Sequence, residues 1–186
     1  MTNLTYYGHA CFSVEVAGKK ILFDPFITPN PMAKEIDLSS IEADYVLISH
    51  GHEDHIGAVP YLLRERSDIR IIGSQLTLAF VAPKLKERRI TAPMTQVKAG
   101  QVEKVGPFTL EFVTVNHSIP DSLAVAIKTP AGVILHTGDF KMDKMPLDGK
   151  VTDLETFARL GKEGVDLFLV DSTNADVPGL TVAEKD

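Results

Sequence analysis

The stretch Ser49-His50-Gly51-His52-Glu53-Asp54-His55-Ile56-Gly57 packs three imidazoles and two carboxylates into six residues. Before it, Tyr45-Val46-Leu47-Ile48-Ser49 is apolar and β-prone, and reads as a short buried strand. After it, the apolar positions of Ile56 to Arg64 recur at helical spacing, with the helix expected to end near Arg66. The cluster is therefore expected on a strand-to-helix turn at the end of a sheet, where α/β folds place their sites. Polar groups buried there need partners, because each unpaired one costs about 2–7 kcal/mol. A metal ion supplies them.

Spacing sharpens this. His50 and His52 stand two apart, so in an extended segment both rings face one side and reach one cation. Asp54 and His55 lie at the helix start, point elsewhere and suit a second cation nearby. The alternative is a polar loop with surface histidines, which a lone His-x-His would not exclude. The full His-x-His-x-Asp-His after an apolar strand argues against it.

The 186 residues suffice for one domain with a substantial core. No apolar run approaches the ~20 residues of a membrane helix, and the N-terminus lacks a signal-peptide pattern, so a cytoplasmic, membrane-free protein is expected. The single cysteine, Cys11, fits a reducing compartment and reads as a small buried hydrophobe. A net charge of −6 argues against tight nucleic-acid binding.

In chain order, Leu4–Tyr7, Cys11–Val16 and Lys20–Phe23 read as three strands, with Ala17-Gly18-Lys19 turning the last pair. His9, between the first two, either faces the site or makes an ordinary surface hydrogen bond. Asp24 closes the third strand and is placed to orient the metal-ligand loop from behind. Thr28-Pro29-Asn30-Pro31 is expected as a rigid wall of the entrance. Ile69–Ile72 reads as a buried strand, and Ser74 as the N-cap of a helix that Pro83 disturbs or ends. Lys84, Lys86, Arg88 and Arg89 read as a solvated basic face. From Thr95 to His136 the pattern is an antiparallel meander forming a second sheet. Thr152 to Leu160 is helical, ended by Gly161 and Gly164, and Val165–Val170 reads as a last buried strand. His117 and Asp139 both follow strands, and His136 reads as a packing residue or one standing behind the ligands.

The histidine-aspartate motif resembles that of the metallo-β-lactamase superfamily of metal-dependent hydrolases. The resemblance implies an α/β (α+β) αββα sandwich in one domain, 1–186, with a dinuclear site at one edge. It further implies that His117 is the third ligand of the first metal and that Asp139 bridges the two. From about Gly51 onward, Asn116-His117-Ser118-Ile119-Pro120-Asp121-Ser122, His136-Thr137-Gly138-Asp139-Phe140-Lys141 and Asp171-Ser172-Thr173-Asn174-Ala175-Asp176 resemble bacterial ribonuclease J. Tyr6-Tyr7-Gly8-His9-Ala10-Cys11-Phe12 and Ile21-Leu22-Phe23-Asp24-Pro25 resemble small single-domain hydrolases of the same superfamily, some related to sugar-phosphate lactonases. The expectation is a chimera with its junction near 47–51. Against ribonuclease J, the inserted β-CASP domain, the superfamily's terminal helix and strand and a final histidine ligand have no counterpart here. Asp171 matches an acidic family position.

These readings point to a hydrolase in which a metal-activated hydroxide attacks a phosphodiester, ester or lactone. Asp54 and Asp139 are the catalytic carboxylates, and the metal ligands are His50, His52, His117, Asp54, His55 and Asp139. His9, Asp24, His136 and Asp171 are expected to support them. One or two zinc ions suit the donors best, manganese next. The alternatives are a chimeric or truncated metal-binding scaffold with little activity, and RNA hydrolysis, which the acidic charge and missing clamp weaken. An exposed sheet edge invites a homo-oligomer.

Overall fold

A computed structural model describes residues 2–26, 40–64, 66–179, 183 and 185. The expected wall at Thr28-Pro29-Asn30-Pro31 lies outside them. The fold is mixed α/β with two sheets and few helices. The chain divides into two compact units, Met1–Val97 and Lys98–Asp186, each carrying one sheet.

In the first unit, β1 (Thr2–Gly8), β2 (Cys11–Val16) and β3 (Lys19–Phe23) form an antiparallel meander. Ala17 and Gly18, both at positive φ, make the tight turn between β2 and β3 that right-twisted strands favour. Then β4 (Tyr45–Leu47), β5 (Arg70–Gly73) and β6 (Met94–Gln96) add in parallel, giving the order β1-β2-β3-β4-β5-β6. Leu22, Val46, Ile48, Ile56, Leu63, Ile71, Val81 and Leu85 pack into one apolar cluster with Cys11. Burial, and secondarily the Asp24 carboxylate, push the Cys11 thiol up to about 12, which keeps it protonated and unreactive as expected.

Three expectations need correction here. The segment after the histidine motif is not one helix but two single turns, α1 (Glu53–Ile56) and α2 (Val59–Leu62). Pro60 has no N–H to give Ile56, so it sits only in a first turn and starts a new helix. Pro83, conversely, does not end its helix: α3 runs Gln75–Glu87, capped by Ser74 as expected. Buried Val81 and Leu85 anchor it on either side of the proline, and that packing outweighs the ~3 kcal/mol propensity cost. Finally, β6 belongs to this sheet rather than to the meander, because its partner is β5. The basic residues of α3 are partly engaged: Lys84 pairs with Glu53 at 2.6 Å, and Arg88 stacks over the Tyr61 ring.

In the second unit, β7 (Val102–Val105), β8 (Phe108–Thr114), β9 (Leu123–Thr129) and β10 (Gly132–His136) form the expected antiparallel meander. The strand β11 (Leu167–Leu169) adds parallel to β10 at the edge. Leu167 and Phe168 are exposed, against the expected buried strand, because an edge position leaves their faces less covered than the run of apolar residues suggests. Between β10 and β11 lies α4 (Leu154–Glu163), N-capped by Asp153, with Leu160 packed against Val113, Ala124 and Leu135. Gly161 continues α4 instead of ending it, and Gly164, at φ 109°, closes it. Gly132 is required because the Asp166 side chain occupies the space a Cβ would take while accepting from the Val133 N–H at 2.8 Å.

Candidate metal centre

Within the first unit the motif lies where β4 ends and α1 begins. His52 is the N-cap of α1 but makes no side-chain cap, a position where Ser, Thr or Asp would stabilise the helix by about 1 kcal/mol. Its ring faces His50 instead, with Nδ1 3.1 Å from His50 Nε2. Ligands on one tetrahedral zinc, at ~2.0–2.1 Å each, stand roughly 3.3 Å apart, so this pair suits a shared cation.

Asp24 organises the rear of the array. It is fully buried at φ 41°, accepts from the Ser49 N–H and from Ser49 Oγ at 2.7 Å each, and lies 3.1 Å from His55 Nδ1 through Oδ2. The tautomers follow from counting hydrogens. A serine hydroxyl has one proton, and Ser49 gives it to the acceptor-only carboxylate. Its oxygen, 2.9 Å from His50 Nδ1, must then accept from that nitrogen, which leaves the lone pair of His50 on Nε2. The Asp24 carboxylate beside His55 Nδ1 favours the same tautomer there, the arrangement that orients metal-binding imidazoles generally. His55 Nε2 is 3.7 Å from Asp54 Oδ2, and the His50 and His55 rings lie 4.0 Å apart.

In the second unit, His117 follows β8 and Asp139 follows β10, and they approach to 3.9 Å. Both line a cleft of about 400 Å³ with Lys141, Asp171 and Asn174. The walls are tied together: the Asp171 N–H donates to Thr137 Oγ1 at 3.0 Å, and the Lys141 N–H donates to the Asn116 carbonyl at 2.7 Å.

The structure thus brings His50, His52, Asp54 and His55 together in the first unit with Asp24 behind them, and His117, Asp139 and Asp171 together in the second. His136 is buried in β10 and is not among the described residues lining the cleft. Two residues went unassigned in the sequence. Ser49 carries the link between Asp24 and His50, and its signal was adjacency to the first histidine at a strand end. Lys141 lines the cleft with its ammonium 3.7 Å from the buried Asp143 carboxylate, and its signal was its place two residues after Asp139.

The family model described as the metallo-beta-lactamase superfamily matches residues 4–162. The chain belongs to that superfamily. Among curated members, it is 51% identical over 160 residues to ribonuclease J of Mycobacterium tuberculosis, covering 86% of this chain and 28% of that protein. With ribonuclease J of Corynebacterium glutamicum the identity is 53% over 143 residues, covering 77% of this chain and 20% of that protein. The chain therefore spans less than a third of the length of these superfamily relatives. Among solved structures, Igni18, a metallo hydrolase from Ignicoccus hospitalis, matches with a TM-score of 0.60 at 26% identity, over 75% of this chain and 61% of that one. The superfamily binds metal, and the His and Asp groups found here could hold it.

Proposed function

We propose that this chain carries the metal centre of a metal-dependent phosphodiesterase whose substrate class is RNA. The observation that carries the reading is the Asp24–Ser49–His50 and Asp24–His55 arrangement, which sets a buried hydroxyl and a buried carboxylate beside Nδ1 of two buried imidazoles and so favours the tautomer with its lone pair on Nε2. Ester or lactone hydrolysis would use the same donors. The net charge of −6 favours a non-nucleic-acid substrate, but the two relatives named ribonuclease J weigh more, since formal charge says little about one cleft.

In this reading His50 and His52 would hold one cation and Asp54 and His55 a second, with His117 and Asp139 as the ligands that the second unit would offer. The imidazoles and carboxylates fit zinc best, manganese next. When bound, the cations make water nucleophilic near neutral pH and neutralise charge building on the phosphoryl oxygens. Ser49 and Asp24 keep His50 and His55 in one rotamer and tautomer. Asp54, with its side chain 44% exposed, orients the attacking water.

The test loads the chain with zinc or manganese and follows a labelled RNA oligonucleotide, bis(p-nitrophenyl) phosphate and a simple lactone in parallel. Cleavage of RNA, lost in Asp54→Asn, is expected. Lactone turnover alone would overturn the substrate class, and full metal occupancy with no turnover would favour a metal-binding scaffold. A two-lineage origin with a junction near 47–51 is a separate proposal, and a single family returned when residues 1–46 and 52–186 are compared separately would refute it.

A further inference from the structure

Resting on that reading, we propose that His9 is a ligand of the second cation, completing with Asp54 and His55 a three-residue site contained within residues 1–97. One ligand atom from each of the three lies within 4.8 Å of the others. His9 Nε2 is 3.0 Å from Asp54 Oδ2, and His55 Nε2 is 3.7 Å from the same oxygen. Two imidazole nitrogens therefore converge on one carboxylate, at spacings that ligands at ~2.0–2.2 Å from a shared ion adopt.

The backbone is built to make this approach. The pairing of β1 with β2 shifts register between Tyr6 and Gly8, and the chain then passes through Gly8 at φ 112° and His9 at φ 51°. A left-handed conformation is uncommon outside glycine, and histidine, like asparagine, is among the residues that adopt it more readily than most. The turn is secured by Tyr6, whose hydroxyl donates to the His9 carbonyl at 2.9 Å, and the His9 ring is held edge-on to Phe26 at 5.0 Å between centroids. The ring thus reaches across from the β1–β2 turn to α1, 45 residues along the chain. The donor set is two imidazoles and one carboxylate, which suits zinc and also binds manganese.

A simple His9–Asp54 ion pair would have the same 3.0 Å contact, so the test counts metal. The full chain is dialysed against zinc, bound metal is measured by elemental analysis, and cobalt substitution is followed by visible absorption. His9→Asn suits the left-handed turn yet lacks the imidazole, and circular dichroism checks its fold; Tyr6→Phe removes the turn's hydrogen bond and leaves the ligand. The wild type is expected to hold two equivalents and His9→Asn one, or the weaker equivalent with affinity reduced threefold or more, with matching loss of cobalt absorbance. Tyr6→Phe should retain both. Two equivalents in His9→Asn with affinities changed less than threefold would overturn the proposal. So would a wild type holding one equivalent that His50→Ala removes and His9→Asn does not, which leaves the first site standing. No bound metal in the wild type would sink the metal-centre reading itself, and this proposal with it.

Discussion

His50 and His55, in residues 1–97, have no solvent exposure and rest on a buried carboxylate and hydroxyl. His117 and Asp139, in residues 98–186, have side chains 16% and 21% exposed and sit on the wall of an open cleft. The first pair is enclosed and flanked by Asp24 and Ser49, so little side-chain ordering cost remains for binding. The second pair is held by strand ends and stays accessible. The first unit thus holds its histidines rigidly, while the second keeps its histidine and carboxylate beside open space.

The sharpest way to break this contrast is Asp24→Ala. It strands two Ser49 donors in a buried setting, each at about 1–3 kcal/mol, so a loss of roughly 3 kcal/mol or more is expected in urea unfolding. Asp139→Ala, at a partly exposed site, should cost less than about 1 kcal/mol. Equal losses would erase the difference between the units. Next comes Ser49→Ala, expected to cost about 1–2 kcal/mol and to weaken metal binding by roughly 10–100-fold by calorimetric titration, because His50 Nδ1 loses its acceptor. Unchanged affinity would mean that the tautomer of His50 is not under Ser49's control.

The smallest effect concerns the second unit's own scaffold. Asp153→Ala should cost about 1 kcal/mol through the lost cap of α4. Hydrogen bonds from the Thr156 hydroxyl and N–H hold the Asp153 carboxyl below its ordinary 3.8, so the folded chain takes up that proton less readily than the unfolded one. Its contribution is complete above about pH 4 and fades as pH falls through the lowered folded value. Melting curves of the wild type and variant should therefore converge in acid, and a gap that persists at the lowest pH would assign the effect to packing instead.

Much of this was readable in linear order. His50, His52, Asp54 and His55 fall within six residues, and consecutive residues on a turn have little freedom to avoid one another. The strands from Leu4 to Phe23 and from Phe108 to His136 announced themselves by composition and turn residues, since a pleat and a tight turn are local matters. Their edges were less visible. The run around Thr95 suits either sheet, because apolar alternation says that a strand exists and not which neighbour it pairs with. The apolar run at Leu167–Leu169 looked interior for the same reason, although an edge position left Leu167 and Phe168 exposed. Pro83 looked like a helix end because propensity is counted residue by residue, while the packing of Val81 and Leu85 is not.

Residue order alone thus established the chemistry on offer: a dense imidazole and carboxylate array at a strand end, within a mixed α/β chain. Three-dimensional folding settled who stands behind that array. Asp24 meets Ser49 across 25 positions, and His9 meets Asp54 across 45. Hydrogen-bond partners so far apart are chosen by strand pairing and by which side chains share a buried space, and neither is written in the spacing of the residues themselves.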